Sequence, residues 1–352
     1  MPPVNTLSAL RRTTCLALVA LLTACGAAAS TTAPPPQPAY PAHASPTVLV
    51  GADSVQILPR GSTAFPVILS LIAGARSSLE LEMYEFDRSD IEAALVDAHR
   101  RGVAVTAIVD PSVEVTRATA ASLRAAGIDV LDYPVRKQMI DHVKLLVVDH
   151  RVAVVGGINW GATSDRNHDV DAAITGPAAA NLERVFLADL VACGRSVDVP
   201  PATADDHVLV AATLPTADIR PLALHLVDSA QSSLDLELFV LTDTGIVHAI
   251  ERARSRGVSV RVLLDPSQRP SDTAAAQLGA AGVAVRRYRS SGEKLHAKVG
   301  VADGRDVIFG SANWTGGGFQ RNHEVDIEIL AAPVIAQELT AMMEADWAAS
   351  AP

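Results

Sequence analysis

The sequence predicts an α/β protein made of two homologous halves, each a mixed sheet flanked by helices, the two related by a pseudo-two-fold axis. Three observations lead there. Ser78-Leu79-Glu80-Leu81-Glu82 returns as Ser233-Leu234-Asp235-Leu236-Glu237, and Arg101-Gly102-Val103, closing at Asp110-Pro111, returns as Arg256-Gly257-Val258, closing at Asp265-Pro266. Both matches share one offset, far longer than the repeat of a solenoid, so the chain is a duplicated domain. Within each copy, alternating or continuous β-rich runs take turns with Ala-rich helical stretches, the pattern of an α/β fold. Finally, 352 residues at 49% hydrophobic and 19% charged suffice for a large core.

In chain order, residues 1–24 read as an export signal of lipoprotein type. Arg11-Arg12 supply a positive flank, Leu16 to Leu22 a short apolar core, and Leu22-Thr23-Ala24-Cys25 a small-residue cleavage box. That apolar run is too short to span a bilayer. Cys25 is the expected lipidation site, and an ordinary cleaved signal is the alternative. Residues 25–46, rich in Ala, Thr, Ser and Pro, form a tether that cannot bury a core. The first domain is expected over 47–200 and the second over 201–352.

In the first domain, Leu79 to Phe86 alternates as a strand, and Ser89-Asp90-Ile91-Glu92 has the form of a capping box opening a helix that ends near Gly102. Val103 to Val109 is unbroken, as a strand buried on both faces should be. A helix follows from Thr116 to Ala126, then short strands near 128–131, 142–148, 152–155 and 170–174. Pro177 to Ala192 is the closing helix, and the second half repeats the order to a helix over Val334 to Trp347.

Composition narrows the partners. The formal charge is −10, so the body repels polyphosphate at long range and disfavours nucleic acid as main partner. Only four of 29 cations are lysines (Lys137, Lys144, Lys294, Lys298), which makes them candidates for positions needing a compact ammonium. Of three cysteines, Cys15 falls in the leader and Cys25 at its end, leaving Cys193 alone in the folded body. That excludes an internal disulfide or a cysteine metal cluster.

His142-Val143-Lys144 returns as His296-Ala297-Lys298. Side chains two apart on a strand share a face, so imidazole and ammonium emerge together. Asp149 and Asp303 have the opposite parity and read as structural carboxylates near the strand ends. Downstream come Gly156-Gly157-Ile158-Asn159-Trp160 and Gly310-Ser311-Ala312-Asn313-Trp314, then Arg166-Asn167-His168-Asp169 and Arg321-Asn322-His323-Glu324. His168 and His323 read as supporting or surface residues, and Trp160 and Trp314 as packing. Glu82 and Glu237 fit either a cleft wall or a solvent-facing strand. A metal site from His142, His168, Asp169 and Asp171 would leave both lysines unexplained.

His-x-Lys, four residues, Asp, six residues, then Gly-Ser-x-Asn resembles the signature of the phospholipase D superfamily, present twice, with Gly157 standing for the usual Ser in the first copy. The resemblance covers about residues 47–350. It implies a site of His142, Lys144, Asp149, Asn159 and Asp169 from one half and His296, Lys298, Asp303, Asn313 and Glu324 from the other. Lysines and asparagines would neutralise a phosphodiester where charge develops, one imidazole would attack phosphorus, and the other would protonate the leaving alcohol. By resemblance His142 is the nucleophile and His296 the acid, with Asp169 and Glu324 fixing the two tautomers.

The expected function is therefore a phosphodiesterase cutting phospholipid headgroups through a phosphohistidine, with no cofactor and no metal. It would be exported and lipid-anchored at the outer face of the cell membrane or in the periplasm, with no obligate protein partner and active as a monomer. The alternatives are a nuclease using Arg286, Arg287 and Arg289, a cardiolipin-synthase-like transferase, and a catalytically silent headgroup-binding lipoprotein. Against the transferase stands the lack of a transmembrane segment in the mature chain.

Overall fold

The computed structural model describes residues 45–290 and 292–350; the expected leader, Cys25 and nearly all of the tether lie outside the described residues. The first half runs β1 (Val48–Val50), β2 (Asp53–Pro59), α1 (Gly61–Gly74), β3 (Ser78–Met83), α2 (Ser89–Arg100), β4 (Ala104–Val109) and α3 (Glu114–Ala125). It continues with β5 (Asp129–Asp132), β6 (Lys144–Val148), β7 (Val152–Gly156), the two-residue β8 (Asn167–His168), β9 (Val170–Thr175) and α4 (Pro177–Ala192). The second half runs β10 (Val208–Ala212), α5 (Ile219–Ser229), β11 (Ser233–Leu238), α6 (Thr244–Ser255), β12 (Ser259–Leu264), α7 (Asp272–Ala280) and β13 (Ala284–Arg287). It ends with β14 (Lys294–Leu295), β15 (Lys298–Ala302), β16 (Asp306–Gly310), α8 (Gly316–Gln320), β17 (Val325–Ile329) and α9 (Pro333–Ala349).

Each half holds one mixed sheet. The first has the order β1-β2-β9-β7-β6-β3-β4-β5 and the second β10-β17-β16-β15-β11-β12-β13. In both, the three strands at one edge are parallel, joined by right-sized helical crossovers, and the remainder are antiparallel. The strands that carry the His-Lys motifs, β6 and β15, are central, each paired on both sides.

Strand parity sorts the core. Along β6, Leu145 and Val147 join an apolar cluster shared with Val299, Val301, Ile327 and Leu339 of the second half, while Leu146 and Val148 face a separate core under α1, α2 and α3. Helices α4 and α9 contribute Leu182, Phe186, Ile335 and Met343 to the shared cluster. One apolar layer thus locks the two sheets face to face. At the entry of β6 and β15 the halves also exchange backbone bonds: His142 N donates to His323 O at 2.8 Å, and His296 N to His168 O at 2.8 Å.

One local expectation changes, and one helix is new. The Ser89 capping box does not form: Ser89 is already inside α2, whose N-cap is Arg88 without a side-chain cap, and Asp90 accepts from Ile91 N at 2.9 Å instead. In the second half Asp243 does cap α6, accepting from Ile246 N at 2.9 Å. Helix α1 had no counterpart in the sequence reading. Its mid-helix Pro66 and flanking glycines mask the apolar face of Phe65, Ile68 and Ile72.

Candidate active site

His142 and His296 stand at the meeting line of the halves, 4% and 5% exposed, with Lys144 and Lys298 nearly as shielded. Each imidazole is oriented by the acid of the opposite half. His142 Nδ1–H donates to Glu324 Oε2 at 2.8 Å, with Ser311 O at 3.1 Å, and His296 Nδ1–H donates to Asp169 Oδ2 at 2.7 Å. A carboxylate on Nδ1 leaves Nε2 unprotonated, which is the form an attacking imidazole needs. Neither half could complete its own histidine, so the site exists only where both are present.

The electrostatics follow from burial. Desolvation, then Lys144 and Lys298, push His142 well below the ordinary imidazole range; burial and then Lys298 take His296 down to about 3. Burial also lowers Lys144 to about 7 and lowers Lys298. Glu324 is raised to about 7 by burial, against the pull of Lys144. Asp169, though burial opposes it, is held below the usual carboxylate range by His296 and the two lysines. Both imidazoles therefore rest neutral, with Lys144 and Lys298 buried beside them.

The ammonium groups are held low over their own motifs: Lys144 Nζ donates to His142 O at 2.5 Å, and Lys298 Nζ to His296 O, with His296 Nε2 3.3 Å away. Asn159 donates to Glu85 Oε2 at 3.0 Å, while the Oδ1 atoms of Asn159 and Asn313 are buried without a partner. Gly157 is required where a serine was expected, because a Cβ there would collide with Asp169 Oδ1. In the second half the serine is present, and Ser311 Oγ donates to Glu324 Oε2 at 2.7 Å.

Asp149 and Asp303 are not in the site. They sit beyond the far ends of β6 and β15, where each carboxylate collects backbone N–H groups: Ser77 at 2.7 Å and Ser78 at 3.1 Å for Asp149, Ser232 at 2.7 Å and Ser233 at 3.0 Å for Asp303. Although burial pulls the other way, these bonds lower both to about 2. Membership of the motif is corrected here to a role in holding β6 and β15 against the preceding turn, as their strand parity implied.

Glu82 and Glu237 are neither solvent-facing nor in contact with substrate space; both are wholly buried partners of the second pair of histidines. His168 Nε2 meets Glu237 Oε2 at 3.0 Å and Asp346 Oδ2 at 3.1 Å, while His323 Nε2 meets Asp189 Oδ2 at 2.9 Å and Glu82 Oε1 at 3.8 Å. Tyr288 and Tyr133 stack on these two rings. The imagined metal quartet is thereby dispersed, since His142 and His168 face different carboxylates. Trp160 packs edge-on to Phe86, and Trp314 lies against Phe319. Two of the three arginines of the nuclease reading are engaged elsewhere: Arg286 bonds Trp347 O at 2.6 Å over its ring, and Arg287 pairs with Asp272.

Sequence reasoning missed Tyr84 and Glu85. Tyr84 sits edge-on to the His142 ring at 4.8 Å where Phe239 faces His296, and Glu85 holds Asn159 where the repeat has Val240. The signal was present as a mismatch between the copies at a constant offset.

Comparison with known proteins finds the same two-copy organisation. The family model described as "Cardiolipin synthase, PLD-like domain" matches twice, at residues 68–190 and 223–347. Cardiolipin synthase A of Pseudomonas fluorescens (strain SBW25) is 26% identical over 332 residues, covering 84% of this chain and 69% of that protein. Probable cardiolipin synthase YwiE of Bacillus subtilis (strain 168) is 24% identical, covering 84% and 66%. Among solved structures, phosphatidylserine synthase of Haemophilus influenzae Rd KW20 superposes with a TM-score of 0.64 at 12% identity over 87% of each chain, a likeness of fold.

Proposed function

Since the chain belongs to the phospholipase D superfamily, whose domain covers most of it in two copies, we propose that this enzyme is a phosphatidyl-transferring phosphodiesterase of the cardiolipin-synthase kind. This replaces hydrolysis as the main reading: the relatives it matches over 84% of its length are cardiolipin synthases. The observation that carries the chemistry is the crossed orientation of the two imidazoles by Glu324 and Asp169. The absence of a membrane-spanning helix among the described residues does not weigh against transfer, because a lipid anchor at Cys25 would hold the site at the bilayer surface.

In this reading the diester phosphate sits between Lys144 and Lys298, with Asn159 and Asn313 as further donors. His142 Nε2 attacks phosphorus, the bond to the headgroup oxygen breaks, and His296 gives that oxygen its proton. His296 must first gain that proton, and the bound anion supplies the reason, offsetting the lysine charges that hold its pKa low. An acceptor hydroxyl then attacks the phosphohistidine, losing its proton to His296 as the P–N bond breaks. Water in the acceptor's place gives hydrolysis.

The test offers phosphatidylglycerol, phosphatidylcholine with an added alcohol, and single-stranded DNA, each with EDTA present and His142→Ala as control. Phosphatidyl transfer lost in the variant is the expected result. Phosphatidic acid as sole product would return hydrolysis to first place, and DNA cleavage alone would make the enzyme a nuclease. Loss of membrane association in Cys25→Ala would support the anchor.

A further inference from the structure

The two buried clusters built on His168 and His323 are unequal in charge. Each takes its histidine from one half and its carboxyl groups from the other. Around His323 stand Glu82 of β3, Asp141 just before β6, and Asp189 of α4. Around His168 stand Glu237 of β11 and Asp346 of α9, with Glu293 joined to them through Arg60. The backbone pairs Asp141 with His323 as it pairs Leu295 with His168, so an aspartate stands in one cluster where its twin has a leucine.

The cation differs too. Arg60 N bonds Asp169 O at 2.8 Å and Thr213 N bonds Glu324 O at 3.1 Å, so these residues occupy equivalent places. Arg60 reaches Glu293 and, at 3.2 Å, Asp346. Thr213 offers only a hydroxyl, which accepts from Glu324 N at 2.7 Å. Three carboxyl groups and one imidazole thus meet in each cluster, but only one of them has a guanidinium, whose charge is permanent.

The cluster without it is closed to solvent: Glu82, Asp141 and His323 have no exposure, and Asp189 has 4%. No donor reaches either oxygen of Glu82 or Oδ2 of Asp141. Glu82 instead faces the carboxyl groups of Asp141 and Asp189. His323 Nε2 lies 2.9 Å from Asp189 Oδ2 and 3.8 Å from Glu82 Oε1, and these three ligand atoms fall within 4.8 Å of one another. Among the described residues no Lys or Arg forms an ion pair with any of the three acids. Buried carboxylates gathered at one point need a neutralising charge.

We propose that Glu82, Asp141, Asp189 and His323 bind one divalent metal cation of the zinc type, the counterpart of the Arg60 guanidinium in the twin cluster. Carboxylate oxygens with one imidazole nitrogen form a ligand set that zinc accepts. Asp189 and Tyr133 also line an open cavity of about 820 Å³, which gives the ion a way in. Its role is structural. Asp141 precedes His142, and His323 O accepts from His142 N at 2.8 Å, so the ion braces the entry of β6 where the halves meet. No step at phosphorus runs through it, because His142 Nδ1 is turned to Glu324. In metal-free protein, protons on the carboxyl groups take its place, and binding does not depend on which diester the enzyme takes.

The experiment strips the full-length protein with EDTA, removes the chelator, and titrates Zn²⁺ by calorimetry, with bound metal counted by mass spectrometry. Mn²⁺ and Ca²⁺ are titrated in parallel. One tight zinc per chain is expected, with a rise in melting temperature. Glu82→Gln and Asp141→Asn keep the shape of the cluster and remove one charge each; each should weaken zinc by about tenfold or more and abolish that rise. Two variants are made so that a folding failure in one leaves the other to decide. Metal-free Glu82→Gln should melt no lower than metal-free wild type, because its amide can donate to the neighbouring acids. His150→Ala removes the exposed trio of Glu80, His150 and Glu183 and should leave the tight site intact. Absence of tight binding in wild type, undiminished zinc in the folded cluster variants, or loss of zinc in His150→Ala overturns the proposal. Tighter binding of Ca²⁺ than of Zn²⁺ overturns the class of metal and the histidine as its ligand.

Discussion

The two halves solve one problem, fixing an imidazole through its Nδ1, with different parts. For His296 the acid is Asp169 of the other half, short, facing Gly157, and with Oδ1 buried and unpartnered. For His142 the acid is Glu324, longer, with Ser311 Oγ on one oxygen and Asn322 Nδ2 on the other. The Glu324 side is larger at both places, by a methylene in the acid and a hydroxymethyl in the turn. The charge states differ accordingly: Glu324 is raised to about 7 by burial, whereas Asp169 stays ionised beside His296 and the lysines. A fixed anion best supports an imidazole that must gain and lose a proton, which suits His296 as the acid and base. For a histidine that attacks, Glu324 sets the tautomer in its ionised form, which the donors Ser311 Oγ and Asn322 Nδ2 favour against burial.

The sharpest way to break that comparison is to remove each histidine in turn. His296→Asn is expected to lower turnover by about 10²–10⁴-fold while still accumulating a phosphoenzyme on His142, trapped by rapid quench with a radiolabelled substrate. His142→Asn is expected to yield none. Phosphoenzyme in His142→Asn alone would exchange the two roles and with them the reason for the Glu/Asp difference.

A finer test trades the parts. Gly157→Ser puts a Cβ and hydroxyl into the space of Asp169 Oδ1, so it should cost about 1–3 kcal/mol of stability and roughly tenfold in rate by displacing the acid. Adding Asp169→Glu makes the first turn like the second and should recover most of both losses. If the double variant is worse than the sum of the single ones, in denaturant midpoint and in rate, Gly157 and Asp169 are not a matched pair. Glu85→Gln, which keeps the bond from Asn159 only through an amide, should have a smaller effect of a few-fold on KM.

Much of this was legible in the sequence because duplication made it redundant. A single His-x-Lys could be chance, but its return with Asn and an acid in order pins the site, and strand parity already set Asp149 and Asp303 apart from the imidazoles. What the sequence could not show was the crossing. Nothing in either copy says that Glu324 serves His142 and Asp169 serves His296, because that depends on how two sheets meet through Val147, Val299 and Leu339. The burial of Glu82 and Glu237 was hidden for the same reason: a glutamate in an alternating strand looks solvent-facing until a second sheet covers it. Helix α1 was hidden by its own Pro66, and Tyr84 and Glu85 by attention to what the copies share.

The smallest expected effect separates the two buried histidine clusters behind the site. His168 faces Glu237 and Asp346, with Tyr288 stacked on it and Arg60 bonded to Asp346; although burial opposes it, these acids raise its pKa to about 9. His323 faces Asp189, Glu82 and Asp141 with no guanidinium at the place of Arg60, and is also raised. A histidine raised on folding adds stability in full below its unfolded pKa near 6.5, and that stability is lost as pH rises through the folded value. His168→Gln should therefore lower the unfolding free energy measured by denaturant at pH 6 by an amount on the order of 2 kcal/mol, and the two curves should converge as pH passes 9. His323→Gln removes the cation from a cluster where Glu82 and Asp141 are already raised, first by burial. Those carboxyls can stay protonated and neutral, so its loss at pH 6 should be the smaller of the two. Equal losses would mean that Arg60 does not set the charge of its cluster, and the duplication would then be symmetric in energy although it is not in sequence.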